Sequence, residues 1–229
     1  MRKRSKRYSA DEQKGASDIL SLADAVKKVK TFGSTKFDQT VECVMHLGID
    51  PKQADQMIRG AISLPNGIGK ARRVIAFCED SEADAAKAAG AIEAGCDELI
   101  EKVSKGWMDF DVAIAAPKVM GKAGKLGRVL GPQGKMPSPK NGTVTPKVVE
   151  AVKEFAAGKV EFRNDSGGNI HAVVGKVSFD ADKLMENTQA FIEHIKKMRP
   201  QTLKGAYVKK LCLTATMSPS VLVDVSIAS

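Results

Sequence analysis

The sequence predicts an α+β domain, discontinuous along the chain, with a three-layer, Rossmann-like α/β domain inserted into it. Three observations carry that expectation. Both ends of the chain alternate apolar and polar residues, as strands with one wet face do. The middle instead holds the runs Val74–Cys78 and Asp111–Ala116, apolar almost throughout and separated by helical patterns, which implies strands covered on both faces. Turn formers at Leu64-Pro65-Asn66-Gly67 and a glycine at Gly158 punctuate the two crossings. The expected division is therefore 1–65 with 159–229 for the outer domain and 66–158 for the insert, joined by a two-strand hinge.

The elements follow in order. Residues 1–7 hold five cations and read as a flexible arm. Over 18–31, Ile19, Leu22, Ala23, Val26 and Val29 share one face of a helix, with Asp18 as its expected cap. Lys36 to Leu47 alternates as a strand, with Phe37, Val41, Cys43, Met45 and Leu47 on one side. A short helix is expected after Gly48–Pro51, then a strand over Ile58–Leu64. In the insert, Ser81 and Asp84 form a capping box for an alanine-rich helix running to Gly95. Thr145 and Pro146 open another helix, with Val148, Val149, Val152 and Phe155 on its apolar face and Gly158 at its end. Val160 and Phe162, the turn Asp165–Asn169 and the run Ile170–Val177 predict a β-hairpin. A helix over Asp180–Met198 turns Leu184, Thr188, Phe191, Ile192 and Ile195 inward, and Pro200 closes it. Strands over Tyr207–Thr216 and Val221–Ile227 complete the pattern.

Charge narrows the function classes. A net charge of +9 favours a polyanionic partner, nucleic acid first and an anionic membrane second. The outer segments carry a net +7 of this and the middle only +2, yet the middle is polarised. Lys118, Lys122, Lys125, Arg128, Lys135, Lys140 and Lys147 lie between Asp111 and Glu150 with no acid among them. A cationic loop rich in glycine brings amides and lysine heads close to phosphates; its plainer meaning is a solvated loop. The basic N-terminus leads into no apolar h-region, and no apolar run approaches bilayer length, so a soluble protein that stays where it is made is expected. Four scattered cysteines suit reduced thiols in the cytosol. Cys43 and His46 have metal-like spacing, but no second pair completes a site, so no metal is expected.

The run Gly121-Lys122-Ala123-Gly124-Lys125-Leu126-Gly127-Arg128 invites a nucleotide-loop reading and fails it. Gly134-Lys135 is followed by Met136 where a Walker loop needs Ser or Thr. The glycines do not open a helix directly after a first strand, as a dinucleotide fingerprint requires. Gly131-Pro132-Gln133-Gly134 matches the GXXG of KH domains, though a turn is its plainer meaning. For catalysis, His46, His171 and His194 are scattered, with His194 reading as a surface position, and neither a nucleophile elbow nor a zinc-protease motif occurs. Asp109 and Asp111 could act as a carboxylate pair but more often stand exposed at a strand entrance. No cofactor is expected, and a nucleotide-dependent Rossmann-type enzyme is the remote alternative. RNA suits two outer segments better. Lys36-Phe37-Asp38-Gln39-Thr40-Val41-Glu42 offers a cation, a ring and a hydroxyl, and Thr214-Ala215-Thr216-Met217-Ser218-Pro219-Ser220 is a hydroxyl-rich turn. Hydroxyls and turn amides can bond ribose 2′-OH while Phe37 and Met217 cover a sugar face. Phe37 could equally be core.

Those two segments, with Leu47-Gly48-Ile49-Asp50-Pro51, Ser63-Leu64-Pro65-Asn66-Gly67, Gly106-Trp107-Met108-Asp109-Phe110-Asp111, Leu126-Gly127-Arg128-Val129-Leu130-Gly131-Pro132, Met136-Pro137-Ser138-Pro139-Lys140 and Gly158-Lys159-Val160-Glu161-Phe162-Arg163-Asn164-Asp165, closely resemble the family of the large-subunit ribosomal protein numbered one, bacterial type. The likeness runs in order over essentially the whole chain. It implies a two-domain shape with a hinge and a non-enzymatic, cytoplasmic protein that acts on the ribosome and is a monomer when free. The implied partners are the rRNA of the mobile stalk, deacylated tRNA at the exit site, and the leader of the protein's own mRNA, which it would repress; no membrane is implied. A free regulatory RNA binder is the alternative. By position, the resemblance points to Lys36, Phe37, Thr40, Glu42, Thr216 and Met217 as RNA-binding; Arg163, Asn164, Asp165, Gly168, His171 and Ser218 are expected to join them, and the charge pattern adds Lys122, Lys125, Arg128 and Lys135 as a secondary basic face. Ser218 replaces the glycine of the family's Thr-Met-Gly turn, and a side chain there is expected to clash if the backbone must take positive φ or touch ribose closely.

Overall fold

In the computed structural model, which describes residues 4–14, 18–33 and 35–228, the alternating outer segments meet in one sheet. In chain order the elements are α1 (Lys6–Gln13), β1 (Ile19–Leu20), α2 (Leu22–Lys30), β2 (Thr40–Leu47), β3 (Arg59–Ile62), β4 (Val74–Phe77), α3 (Asp80–Ala88), β5 (Ala91–Gly95), α4 (Asp97–Ser104), β6 (Val112–Ala115), α5 (Met120–Ala123), α6 (Gly127–Leu130), α7 (Val148–Ala156), β7 (Val160–Arg163), β8 (Asn169–Lys176), α8 (Ala181–Lys197), β9 (Val208–Ala215) and β10 (Val221–Val223). Among the described residues they give a mixed α/β chain with three sheets. By contacts the chain divides into two compact units, one of 1–69 with 162–229 and one of 70–161.

In the first unit the sheet order is β1-β10-β9-β2-β8. The period-2 pattern of β2 sends Val41, Cys43, Met45 and Leu47 into the core and leaves Thr40, Glu42, Val44 and His46 on the other face, half-exposed. Helices α2 and α8 cover the buried face. Leu22, Ala25, Val26 and Val29 of α2 and Leu184, Phe191, Ile192 and Ile195 of α8 are buried there, each large side chain contributing about 1.5–3 kcal/mol. Buried Asn187 is fully bonded: its Nδ2 donates to the carbonyls of Gly67 (2.9 Å) and Val174 (2.8 Å), and its Oδ1 accepts from Asn66 N–H (3.0 Å). One polar side chain thereby ties the Leu64–Gly67 turn to β8, and no apolar substitute could satisfy those three groups.

The second unit is built on the parallel sheet β5-β4-β6. All of Val74–Phe77 and Val112–Ala115 is buried, as the continuous apolar runs require. Helices α3 and α7 pack together against this sheet, and α4 lies against β5.

Several boundaries differ from expectation for identifiable reasons. The alanine-rich helix ends at Ala88; Gly90, at φ +112°, breaks it, and Ala91–Gly95 becomes a strand beside β4, followed by α4. Its N-cap is Glu79, without a capping bond, instead of a Ser81–Asp84 box. Helix α2 starts at Leu22 under the Ser21 cap, since Ile19 and Leu20 pair in parallel with β10 instead. The Asp165–Asn169 turn forms, but its flanking strands part: β7 pairs with β3, and β8 with β2. Lys6 and Arg7, read as part of a flexible arm, open α1 under the Ser5 cap; residues 1–3 lie outside the described residues. Among the described residues no helix is long and apolar enough to cross a membrane.

Candidate nucleic-acid interface

The start of β2 and the end of β9 are neighbours in the sheet, and this brings the two hydroxyl-bearing segments together. Thr216 N–H donates to the Thr40 carbonyl (3.0 Å), and Thr40 N–H donates to Thr216 Oγ1 (3.1 Å). Lys176, opposite Thr40 on β8, donates its Nζ to Thr40 Oγ1 (2.8 Å). Gln39 is buried beneath and donates Nε2 to the Thr216 carbonyl (2.6 Å) and to Ser218 Oγ (3.2 Å). In the segments that flank this bonded floor, Phe37 is 49% exposed and Met217 67%. Apolar groups of that size left in water beside a preorganised polar floor suit a partner that covers both.

The turn stores strain, at a residue other than the expected one. Met217 has φ +62° and is the sole described non-glycine residue with positive φ; the left-handed region costs such a residue about 1–2 kcal/mol. Ser218 has no positive φ. It is buried, its N–H donates to the Ala215 carbonyl (3.0 Å), and its hydroxyl accepts from Gln39. The serine therefore fits within the free chain as an added anchor for Gln39, without the backbone clash that a positive φ would bring.

Of the other predicted residues, Glu42 and His171 lie along the same sheet, while Arg163 ends β7 in the two-stranded sheet with β3 and Asn164, Asp165 and Gly168 lie in the loop after it. Register pairs Glu42 with Val173 and Thr214, Val44 with His171 and Cys212, and His46 with Asn169 and Lys210. His171 is exposed midway along this open face. Near the His46 end a cleft of about 330 Å³ is lined by Val44, His46, Asn169, Lys210 and Cys212. Arg163, Asn164, Asp165 and Gly168 gather beyond that end, roughly 20 Å from Thr40 at 3.3 Å per strand residue. Asp165 is the centre of its turn. It accepts from the Asn169 side chain and backbone and from Gly167 N–H, which together hold its carboxyl below the usual range. Asn164 Oδ1 accepts from Ile58 N–H, and buried Gly168 sits against the Leu47 carbonyl at φ +76°. These residues shape the loop; among them Arg163 is the exposed cation.

Lys176 and Lys210 did not stand out in the sequence, and neither Gln39 nor His46 was marked there for this role. The available signal was phase, because Lys210, Cys212 and Thr214 alternate with buried Leu211 and Leu213 and so share the face of Thr40 and Glu42. Phe37 precedes the strand and is exposed, so the core reading of it is wrong. Cys43 and His46 occupy opposite faces of β2 and cannot share a metal ion.

In the second unit the basic residues are arranged differently. Lys122 pairs with Asp97 (2.9 Å). Lys135 turns inward, its Nζ donating to the carbonyls of Phe110 (2.6 Å) and Met108 (3.2 Å) above the Phe110 ring. Lys125 and Arg128 are exposed. Gly131–Gly134 is a closed turn, with Gly134 N–H on the Gly131 carbonyl. Asp109 and Asp111 both bond the Arg73 guanidinium, so this carboxylate pair is a structural clasp. In the first unit His194 is half-buried with its ring edge-on to Phe162 at 5.7 Å, which corrects its reading as a surface residue; burial, then Lys197, lowers its pKa.

Residues 11–219 match the ribosomal protein L1p/L10e family. The chain is 57% identical over 223 residues to the "Large ribosomal subunit protein uL1" of Rhodopirellula baltica, covering 97% of this chain and 99% of that one. It is 50% identical to the protein of the same name from Streptomyces coelicolor (98% and 93% covered) and 48% identical to that of Thermobifida fusca (97% and 95%).

Proposed function

The chain belongs to the ribosomal protein L1p/L10e family, and from that membership we propose that it is a structural, non-enzymatic protein of the large ribosomal subunit that grips the rRNA of the mobile stalk with the open face of its outer sheet. The observation that supports this reading best is the bonded Thr40–Thr216 floor together with the exposed Phe37 and Met217 of the same two segments. Folded RNA presents ribose 2′-OH groups and sugar faces, which such a surface can bond and cover. Thr40 and Thr216 supply hydroxyls whose positions are already fixed, so little ordering remains to be done on binding. Glu42, halfway along the face, can accept from a 2′-OH or a base amine and repels phosphate, which sets the register of the strand against the sheet. Lys36, Lys176, Lys210 and Arg163 stand on and beside this face, where phosphates would lie.

The finer roles belong to the same proposal. The unit of 70–161 acts as an inserted domain on a hinge, with Lys125 and Arg128 near stalk rRNA or the departing tRNA, and the RNA-gripping face also serves the leader of the protein's own mRNA. The decisive experiment is a salt series of binding to a stalk-RNA hairpin, with Met217→Asp alongside. Binding that survives high salt and collapses in the variant supports a desolvated, shape-fitted site. A steep salt dependence with the variant unaffected means undirected charge attraction and removes the proposal. Deletion of 68–157 is expected to leave hairpin affinity within about threefold, since the gripping face lies wholly in the other unit.

A further inference from the structure

A strained turn needs something to hold it, and helix α1 reaches it. The Arg7 guanidinium spans two carbonyls from distant parts of the chain: Nη2 donates to Met217 O (2.6 Å) and Nη1 to Gly33 O (2.9 Å). Gly33 is in turn fixed by buried Asp11 of the same helix, whose two carboxylate oxygens both accept Gly33 N–H at 3.0 Å. Burial pushes the Asp11 carboxyl up, but Lys14, Gly33 N–H and Arg7 outweigh it and hold the group ionised. The pocket is closely filled, since a Cβ on Gly33 would come within 2.9 Å of Arg7 Cγ and 3.2 Å of Asp11 Oδ2.

From these contacts we infer that Arg7 is a positioning residue for RNA binding: its forked guanidinium clamps the carbonyl of Met217 and so presents the Met217 side chain and the Thr216 hydroxyl to RNA. The inference rests on the proposed RNA-binding role of that turn. An arginine is required because two carbonyls must be met at once from one planar group, which a lysine ammonium on a flexible stem does not preorganise. The alternative for an exposed-edge arginine is a direct phosphate contact, and the two differ in what they predict.

The test compares full-length wild-type, Arg7→Lys, Gly33→Ala and Met217→Asp for hairpin affinity across a salt series, with amide hydrogen exchange of Met217 and Ser218 in the free proteins. Clamping predicts about tenfold weaker binding for both Arg7→Lys, which keeps the charge, and Gly33→Ala, which displaces the arginine stem without removing it. It also predicts an unchanged salt slope and faster exchange at Ser218. In the Met217→Asp background, Arg7→Lys adds nothing further, because the two act through one turn. A phosphate contact predicts near-normal binding in Arg7→Lys, and that result overturns the inference. So does normal Ser218 exchange in both variants. If Met217→Asp itself leaves binding intact, the RNA-binding reading of the turn fails instead, while the exchange data still decide whether Arg7 holds the turn.

Discussion

The hydroxyl-bearing end of the outer sheet and the cation-rich stretch of residues 118–147 are both candidate RNA surfaces, but they are built in opposite ways. At the first, a buried glutamine, two threonines and a serine are bonded to one another across β2 and β9, and two large apolar side chains stand out in water. At the second, Lys122 is paired with Asp97, Lys135 is spent on two carbonyls, and Lys147 meets Glu150. A run of seven cations in the sequence thus leaves fewer free heads than its count suggests. On the proposed reading the first surface, with fixed donors and acceptors, would fit folded RNA specifically, whereas loose lysines would supply attraction that salt removes.

The comparison breaks most sharply at Met217. Met217→Asp is expected to weaken hairpin binding about a hundredfold or more, as a carboxylate must be desolvated against RNA; filter binding at two salt concentrations measures it. Gln39→Leu comes next. It strands the Thr216 carbonyl and the Ser218 hydroxyl, and should cost about 1–3 kcal/mol of stability in urea unfolding together with about tenfold in affinity. Lys125→Gln combined with Arg128→Gln should weaken binding only about threefold at low salt and not at all at high salt, with a shallower slope. A loss in that double variant as large as that of Met217→Asp would reverse the ranking of the two surfaces. The smallest effect is that of pH. The Asp11 carboxyl lies below its ordinary value in the folded chain, so its support for Gly33 is complete above the ordinary aspartate range and is lost as pH falls through the lowered value. Ser218 amide exchange should therefore quicken only in acid, and in Asp11→Asn it should be quick at neutral pH too.

Much of this was legible in the residues. The period-2 pattern of β2, the inward stripe of α8 and the four-residue apolar strands of the second unit each announce their burial, because one face or two must be covered and the spacing says which. The two hydroxyl segments were legible as candidates, though not as neighbours. Their juxtaposition depends on β2 pairing with β9 more than 160 residues away, and no local pattern encodes a register at that range. The helix–strand break at Gly90 was obscured by alanines, which have strong helix propensity whatever the chain goes on to do. Arg7 was hidden for a third reason: in a run of five cations nothing marks the one that turns back to grip the fold.

The position of β2 has a consequence for the birth of the protein. This strand lies inside the sheet, between β8 and β9, yet its partners are made long after it. At bacterial synthesis rates of about 5–20 residues per second, residues 40–47 would wait roughly ten to thirty seconds for β9 to emerge. Until then the floor beside Met217 does not exist. A nascent or truncated chain therefore carries most of the positive charge without the Thr40–Thr216 floor, and on the proposed reading only a finished copy would grip RNA.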